Sequence, residues 1–218
     1  PGNQGRRPLH GGQLFQGAPC SLPLHRARTG AMDLDETFTY EPDDYEEGTG
    51  SIQFEEPWSP YPVRELARLA LSRSDNVAAN ILLRHLGRQS VRRFMREIGG
   101  EVISEYENIT SAKDMAVYLK GILRLKKESP QLGGELLRFL ENTDFHDRIL
   151  AGLPAGTRVA HKIGTQVRIV NDAAIVFLDK RPYILVVLSK DVDEARAPET
   201  LAAISARVYE FFSGLPLQ

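Results

Sequence analysis

The sequence predicts an α/β protein of the α+β type, in which helices and strands occupy separate parts of the chain. Between residues 61 and 150, apolar side chains recur every three or four positions, which is the period of helices that bury one face. After Gly152 the apolar residues form short runs between turn residues, which is typical of an antiparallel sheet. A last amphipathic stretch predicts a closing helix on one face of that sheet.

Composition and pattern divide the chain into four segments. Residues 1–29 are rich in Gly, Pro, Arg and Gln, carry almost no acids and follow no period, which predicts an irregular, poorly packed leader. Residues 30–60 hold a short extended piece and an acidic loop, and we expect them to connect two lobes. Residues 61–150 then form an all-helical lobe, and residues 151–218 form a sheet lobe with a C-terminal helix.

Start and stop signals mark the helices of the helical lobe. They are a proline in the first turn, polar caps, and glycines after a last turn. In chain order these signals are Pro62, the cap at Ser74 or Asp75, Gly99-Gly100 and the cap at Thr110 or Ser111, and Gln131–Leu140 is the last helix.

The sheet lobe contains three predicted strands and one helix. The strands are Thr157–Gly164, Val170–Leu178 and Pro182–Lys190, and the helix is Arg196–Phe212. Three strands and one helix make a thin core. We therefore expect that N-terminal strands are missing or scrambled in this chain.

Composition excludes several classes of function. The net charge is −2 with both signs interspersed, so no nucleic-acid partner is predicted. The apolar runs are far shorter than the roughly 20 residues of a membrane-spanning helix, and no signal-peptide pattern opens the chain. Cys20 is the only cysteine, which excludes an internal disulfide, and the five histidines lack metal-ligand spacing. We predict neither a metal nor a cofactor. Because the chain opens without methionine, we interpret it as a fragment or a processed product.

Two short motifs carry the functional signal. The first is Ser74-Asp75-Asn76 at a helix start, and the second is His161-Lys162-Ile163-Gly164-Thr165 at a strand end. Alone, the first is a helix cap and the second a common turn. Their order, separation and placement together match the S-D-N and K-T-G pair of penicillin-interacting enzymes.

The resemblance continues from about Thr29 to Phe212. Further matching stretches are Gly48–Gln53, Tyr61–Leu66, Asn108–Met115, Phe145–Ile149, Gly152–Pro154 and Asn171–Val176. The chain is therefore similar to the class A-type serine β-lactamases. This resemblance implies a β-lactamase/transpeptidase-like fold, with the site in the cleft between a helical lobe and a sheet lobe.

The resemblance also implies the site residues. They are Ser74 and Lys162 as catalytic groups, and Asn76, Gly164 and Thr165 as substrate-binding groups. Ser74 is expected to pass a proton to the leaving nitrogen, and Lys162 to supply positive charge. Asn76 is expected to bind the substrate's side-chain amide, and Asp75 to be structural. Gly164 leaves room beside the strand, and Thr165 offers a hydroxyl and a backbone N–H.

The largest departure from the family pattern is the nucleophile. No Ser-x-x-Lys occurs in the 218 residues, and the resemblance places that motif upstream of Asp33. If the codons of residues 12–20 are read one base forward, they permit Ala-Ser-Ser-Phe-Lys-Val-Pro-Leu-Val. We therefore hypothesise that the residues before roughly Ala27 are a frame-shifted translation. As the chain stands, we predict that it is inactive.

Two smaller departures concern deacylation and carboxylate binding. The stretch with Glu101, Glu105 and Glu107 is too short for the family's Glu-x-x-x-Asn loop. Ile163 stands where the family often has a hydroxyl residue, so we expect Thr165 or Arg168 to bind the substrate carboxylate instead.

Three functions stay open at this point. The parent protein is a hydrolase of β-lactams, or it is an acyl-transfer enzyme on peptidoglycan peptides or another amide or ester. Alternatively, this chain is a non-catalytic member that binds a ligand or partner, or a damaged translation product without function. In each case the expected partner is a small molecule, a β-lactam or a related amide, and the expected oligomeric state is a monomer. The resemblance implies export of the intact protein, to the periplasm or the outside of the cell.

Overall fold

A computed structural model of the chain describes residues 9–10, 17–104 and 109–215. Six helices form one lobe, and a three-stranded sheet packs between this lobe and the seventh helix. The helices are α1 (Gly17–Ala27), α2 (Val63–Ser72), α3 (Asn76–Leu86), α4 (Arg88–Glu97), α5 (Ala112–Glu128), α6 (Pro130–Glu141) and α7 (Ala197–Gly214). The strands are β1 (Leu9–His10), β2 (Thr37–Thr39), β3 (Pro60–Pro62), β4 (Ile109–Thr110), β5 (Val159–Gln166), β6 (Ile169–Val176) and β7 (Tyr183–Val187).

The predicted helix caps are confirmed. The Asp75 carboxylate accepts a hydrogen bond from the backbone N–H of Ala78 at 3.0 Å, which caps α3. Ser111 Oγ accepts the N–H of Asp114 at 3.0 Å and caps α5 in the same way. In both helices one donor that has no partner inside the helix is thereby satisfied, so the helix begins at that residue.

The sheet of the C-terminal lobe is antiparallel, in the order β5-β6-β7. Lys162 lies opposite Ala173, and His161 lies opposite Ala174. Because successive side chains of a strand point to opposite faces, these two pairs lie on different faces. Ala173 belongs to the core of the helical lobe, and Ala174 packs with residues of α7 on the other side. Lys162 therefore faces the helical lobe.

The segment 1–29 differs from its prediction. Residues 17–27 form α1, in which Cys20, Leu22 and Leu24 are buried and contribute to the core of the helical lobe. Leu9–His10 also pairs with Ile109–Thr110, so the expectation of an irregular leader is wrong for both stretches. Residues 1–8 and 11–16 lie outside the described part of the chain. The physical reason is that α1 packs against α2 to α6, and burial overrides its poor helix signals, which include Pro23.

The structure also bears on membranes and metals. No helix in the described part of the chain is long and apolar enough to cross a membrane. Within residues 9–10, 17–104 and 109–215, no three His, Cys, Asp or Glu residues cluster as a metal site would require.

Candidate active site

The two sequence motifs meet where the lobes join. Lys162 Nζ donates a hydrogen bond to Ser74 Oγ at 2.5 Å, although the two residues are 88 positions apart. The same ammonium donates to the carbonyl oxygen of Ile163 at 3.0 Å. Both side chains are buried. Ser74 has a φ of 52°, which is uncommon for a residue with a Cβ, and Thr49 Oγ1 donates to its carbonyl oxygen at 2.6 Å.

Asp75 holds the loop that precedes this site. Besides capping α3, its carboxylate accepts the N–H groups of Ser51 at 2.7 Å and Ile52 at 3.1 Å. Gly50 approaches so closely, at a φ of 105°, that a Cβ there would lie 2.2 Å from Asp75 Cγ. The conformation and the close approach both require glycine. Asp75 thus has the structural contacts that the sequence analysis expected.

Asn76 lies on the loop side of the site. Its backbone N–H donates to Thr49 O at 3.2 Å, and its Nδ2 donates to Glu47 O at 3.4 Å. A Cβ at Gly48, where φ is 142°, would lie 2.7 Å from Asn76 Nδ2. The loop backbone therefore packs directly on the Asn76 amide, next to the Ser74–Lys162 contact.

Arg148 is a site residue that the sequence analysis missed. Its guanidinium donates to Gly164 O at 3.3 Å, to Asn171 O at 2.6 Å and to Thr165 Oγ1 at 2.7 Å. The side chain is buried, and burial is the main reason why its pKa is lowered, although the pKa of a guanidinium is too high for it to lose its charge. The sequence signal that could have identified Arg148 is its position in the stretch Phe145–Ile149, which matches the family.

Arg168 lies elsewhere. It occupies the exposed turn between β5 and β6 at a φ of 59°, where its guanidinium forms an ion pair of 3.6 Å with Asp191. Its backbone N–H donates to Glu194 at 2.7 Å. The arginine beside Thr165 is therefore Arg148 and not Arg168, because the turn carries Arg168 toward the Asp191–Glu194 segment.

Comparison with known proteins decides the family. The model of the β-lactamase enzyme family matches residues 23–212. The chain belongs to this family. It is 27% identical to the extended-spectrum β-lactamase PER-1 of Pseudomonas aeruginosa, over 87% of this chain and 71% of that protein. It is 31% identical to a β-lactamase of Bacillus licheniformis over 67% of this chain, and the match spans about half (54%) of that relative.

Solved structures agree with the fold. PBP-A superposes with a TM-score of 0.89 at 25% identity, covering 97% of this chain and 84% of that chain. A PBP-A variant solved as an acyl-enzyme complex with penicillin G gives 0.88 at 26% identity, with the same coverage. The predicted family and fold class are therefore confirmed.

In this β-lactamase-family chain, the side chain of Lys162 exchanges its proton near neutral pH. Burial lowers the pKa of Lys162 to about 7, the positive charge of Arg148 lowers it too, and the carboxylate of Asp172 raises it. An amine with a pKa near 7 can both accept and return a proton at neutral pH. Its contact with Ser74 Oγ is therefore suited to relaying a proton.

Helix α1, which carries Cys20, offers Lys162 no ionised nucleophile within its described residues. Cys20 of α1 is fully buried and close enough to Lys162 and Asp75 for each to act on it electrostatically. Burial raises the pKa of the thiol to about 12, so it stays protonated at neutral pH. The positions that the frame-shift hypothesis assigns to the nucleophile, within 12–16, precede the helix.

Of the acids considered for deacylation, only Glu101 lies in the described residues, and it contacts α5. Glu101 forms an ion pair with Lys113, and its backbone N–H donates to Asp114 at 3.2 Å. The backbone N–H of Val102 donates to the same Asp114 oxygen at 2.7 Å. These bonds tie the start of the 101–108 stretch to α5. Glu105 and Glu107 lie outside the described residues.

Proposed function

We propose that this chain is a β-lactamase-like serine hydrolase whose ligand-binding half is intact and whose nucleophile motif is absent. The observation that carries the proposal is the hydrogen bond between Lys162 and Ser74 across the two lobes. It joins a buried cation and a hydroxyl at one point, beside a strand that a planar amide can follow. Membership of the β-lactamase family supports the same class of reaction.

The chemistry of a β-lactam explains these residue types. The substrate is a strained cyclic amide with an adjacent carboxylate, so its opening requires a nucleophile, a proton for the leaving nitrogen and cations for the carboxylate. We assign the proton transfer to Ser74 and the charge to Lys162, with Arg148 as a second cation beside Thr165. Asn76 is assigned to the substrate's side-chain amide, and the backbone of Gly164 and Thr165 to the strand that lines the ligand.

The missing nucleophile predicts that the chain as it stands forms no acyl-enzyme. The test is covalent labelling with a fluorescent penicillin, with and without the double substitution Gln13→Ser/Gln16→Lys. This change creates the Ser-x-x-Lys spacing in the residues that directly precede α1 in the sequence. We expect no label on the unchanged chain and a covalent label on the double variant.

Matched controls separate nucleophilic attack from adventitious reaction. Gln13→Ala/Gln16→Lys has the same new charge without a hydroxyl and should stay unlabelled. Lys162→Met in the labelled double variant should slow acylation, because the cation for the substrate carboxylate is removed. Labelling of the unchanged chain would contradict the proposed inactivity. Failure of a folded double variant to label would contradict the proposed position of the nucleophile.

Acyl transfer with slow hydrolysis is the second candidate function. It is favoured by the likeness to PBP-A and by the ion pair that holds Glu101 on Lys113 of α5. Turnover of a chromogenic cephalosporin by the labelled double variant distinguishes the two. Steady turnover indicates a β-lactamase, and a single burst indicates a stable acyl-enzyme.

The origin of residues 1–29 needs its own measurement. Peptide mapping by mass spectrometry of the protein from its native cells would show either Ser-x-x-Lys or the sequence Gln13–Gly17. The first result makes the frame-shift hypothesis correct and favours the active hydrolase. The second makes the chain a non-catalytic relative that binds its ligand without turnover. We expect a monomer, exported from the cytoplasm, with a small-molecule ligand.

A further inference from the structure

A second pair of buried polar residues lies behind the strand that carries Lys162. His161 Nδ1 lies 3.1 Å and 3.2 Å from the two carboxylate oxygens of Asp172, and both side chains are completely buried. The carboxylate also accepts the backbone N–H of Ile149 at 3.1 Å. Around the pair, this face of the sheet is apolar, with Val159 and Ala174 in the core under α7.

Hydrogen bonding indicates the charge of this pair. His161 Nε2 is buried and has no hydrogen-bond partner among the described residues. A protonated Nε2 would be an unsatisfied buried donor of a charged group, which is costly, whereas a bare Nε2 is only an unused acceptor. The favoured state is a neutral His161 that donates its Nδ1–H to an ionised Asp172. The pair then has a net charge of −1.

This negative charge acts on two cations. Lys162 lies on the ligand side of β5, Arg148 donates to Thr165 Oγ1 and to the carbonyl oxygens of Gly164 and Asn171, and Asp172 raises the pKa of both cations. The other groups that face Lys162 are the Ser74 hydroxyl and the Cys20 thiol, which is neutral at physiological pH. On α6, which packs on β5, Glu135 is engaged in an ion pair with Arg64.

We propose that His161 and Asp172 are positioning residues, a buried counter-charge that keeps Lys162 protonated and able to bind an anionic ligand. Neither residue touches the ligand cleft, so they act through Lys162. A carboxylate held by an imidazole and a backbone N–H cannot turn away from the strand, so its field at Lys162 is fixed. The inference rests on the proposed function in one respect, the assignment of Lys162 as the cation that faces the ligand.

The test follows the titration of Lys162 directly, by NMR of its ε-methylene group in the full chain, with the signal assigned from its loss in Lys162→Met. Asp172→Asn removes the charge and keeps an oxygen for the N–H of Ile149. We expect the midpoint to move to lower pH, so that the protonated fraction of Lys162 at pH 7 falls about threefold or more. Asp179→Asn, in the exposed turn after β6, is the matched control and should leave the midpoint unchanged.

A second pair of variants keeps the outcome decisive. His161→Asn retains a neutral donor to Asp172 and should leave the midpoint in place, whereas a rise would mean that His161 is a cation. If Asp172→Asn does not fold, the double variant His161→Asn/Asp172→Asn removes the same charge with two amides that can pair. An unchanged or raised midpoint in a folded variant without the carboxylate overturns the proposal. The NMR titration needs no ligand. Its result therefore stands on its own even if the penicillin-labelling experiment fails.

Discussion

The strand β5 and the helix α1 lie close enough for Lys162 to act electrostatically on Cys20, yet their surroundings are built in different ways. The surroundings of β5 depend on hydrogen bonds between particular residues, such as Lys162 with Ser74 and Arg148 with Thr165. Helix α1 contributes apolar burial in its described part, through Cys20 and its leucines. A packed apolar surface accepts many sequences of similar volume, whereas a hydrogen-bonded network loses a partner with almost any change. The fold can therefore persist although the helix beside the site lacks the family's motif.

The largest expected effect concerns the hydrogen-bonded network around Asp75. Asp75→Ala leaves the buried N–H groups of Ser51, Ile52 and Ala78 without their acceptor. We expect a loss of about 4 kcal/mol in the free energy of unfolding, measured by urea denaturation. Asp43→Ala, at an exposed position of the same acidic loop region, is the control and should change stability by less than about 0.5 kcal/mol. Equal losses of unfolding free energy in the two variants would mean that the Asp75 network contributes no more to stability than an exposed residue does.

The next prediction tests whether α1 is packed as described. Leu24 is completely buried, so Leu24→Ala creates a cavity and should lower the free energy of unfolding by about 3 kcal/mol. The same denaturation experiment measures it, with the half-exposed Ala27→Gly as a helix-propensity control at about 1 kcal/mol. A loss below that of the control would mean that α1 does not form part of the core.

The third prediction concerns the pH dependence that the buried ammonium imposes. The pKa of Lys162 is about 7 in the folded chain against 10.5 as its ordinary value, so the unfolded chain binds more protons between these two pH values. Stability from this residue therefore rises as pH increases from 7 toward 10.5. Relative to Lys162→Met, the unchanged chain should gain about 2–3 kcal/mol across that window in urea titrations. A parallel pH profile of the two proteins contradicts the lowered pKa.

The smallest effect belongs to α1 and acts at acidic pH. Burial, followed by the charges of Arg28 and Arg124, lowers the pKa of His25 from 6.5 to about 4. Because the unfolded chain takes up this proton first, stability falls as pH decreases from 6.5 to 4. His25→Gln should reduce that fall by about 2 kcal/mol, and the exposed His146→Gln should not. Thermal unfolding between pH 4 and 7 provides the measurement, and an identical acid profile for His25→Gln would count against the packing of α1.

The sequence located local structure well where a local signal existed. Asp75 and Ser111 cap helices as predicted, because a cap is a contact between near neighbours. The strand predicted at Thr157–Gly164 is observed as Val159–Gln166, since the pairing with β6 sets its ends. The hairpin partner decides such boundaries, and no property of the strand alone encodes them.

What the sequence could not predict depends on distant contacts. Arg148 reaches Gly164 and Asn171 because the pairing of β5 with β6 places their carbonyl groups beside it. Helix α1 was predicted as irregular because its segment is rich in Gly, Pro, Arg and Gln and follows no helical period, yet it packs against the five other helices of the helical lobe. In both cases tertiary structure supplies the partner, so no window of the sequence contains the information.

Because Cys20 is buried, its chemical modification reports when the helical lobe opens. A thiol that is enclosed by protein and protonated at neutral pH cannot react with an alkylating reagent until its surroundings separate. Since it is the one cysteine of the chain, each modification event records one departure of α1 from its neighbours. The rate of alkylation at saturating reagent therefore gives the lifetime of the closed helical lobe, with no probe added to the protein.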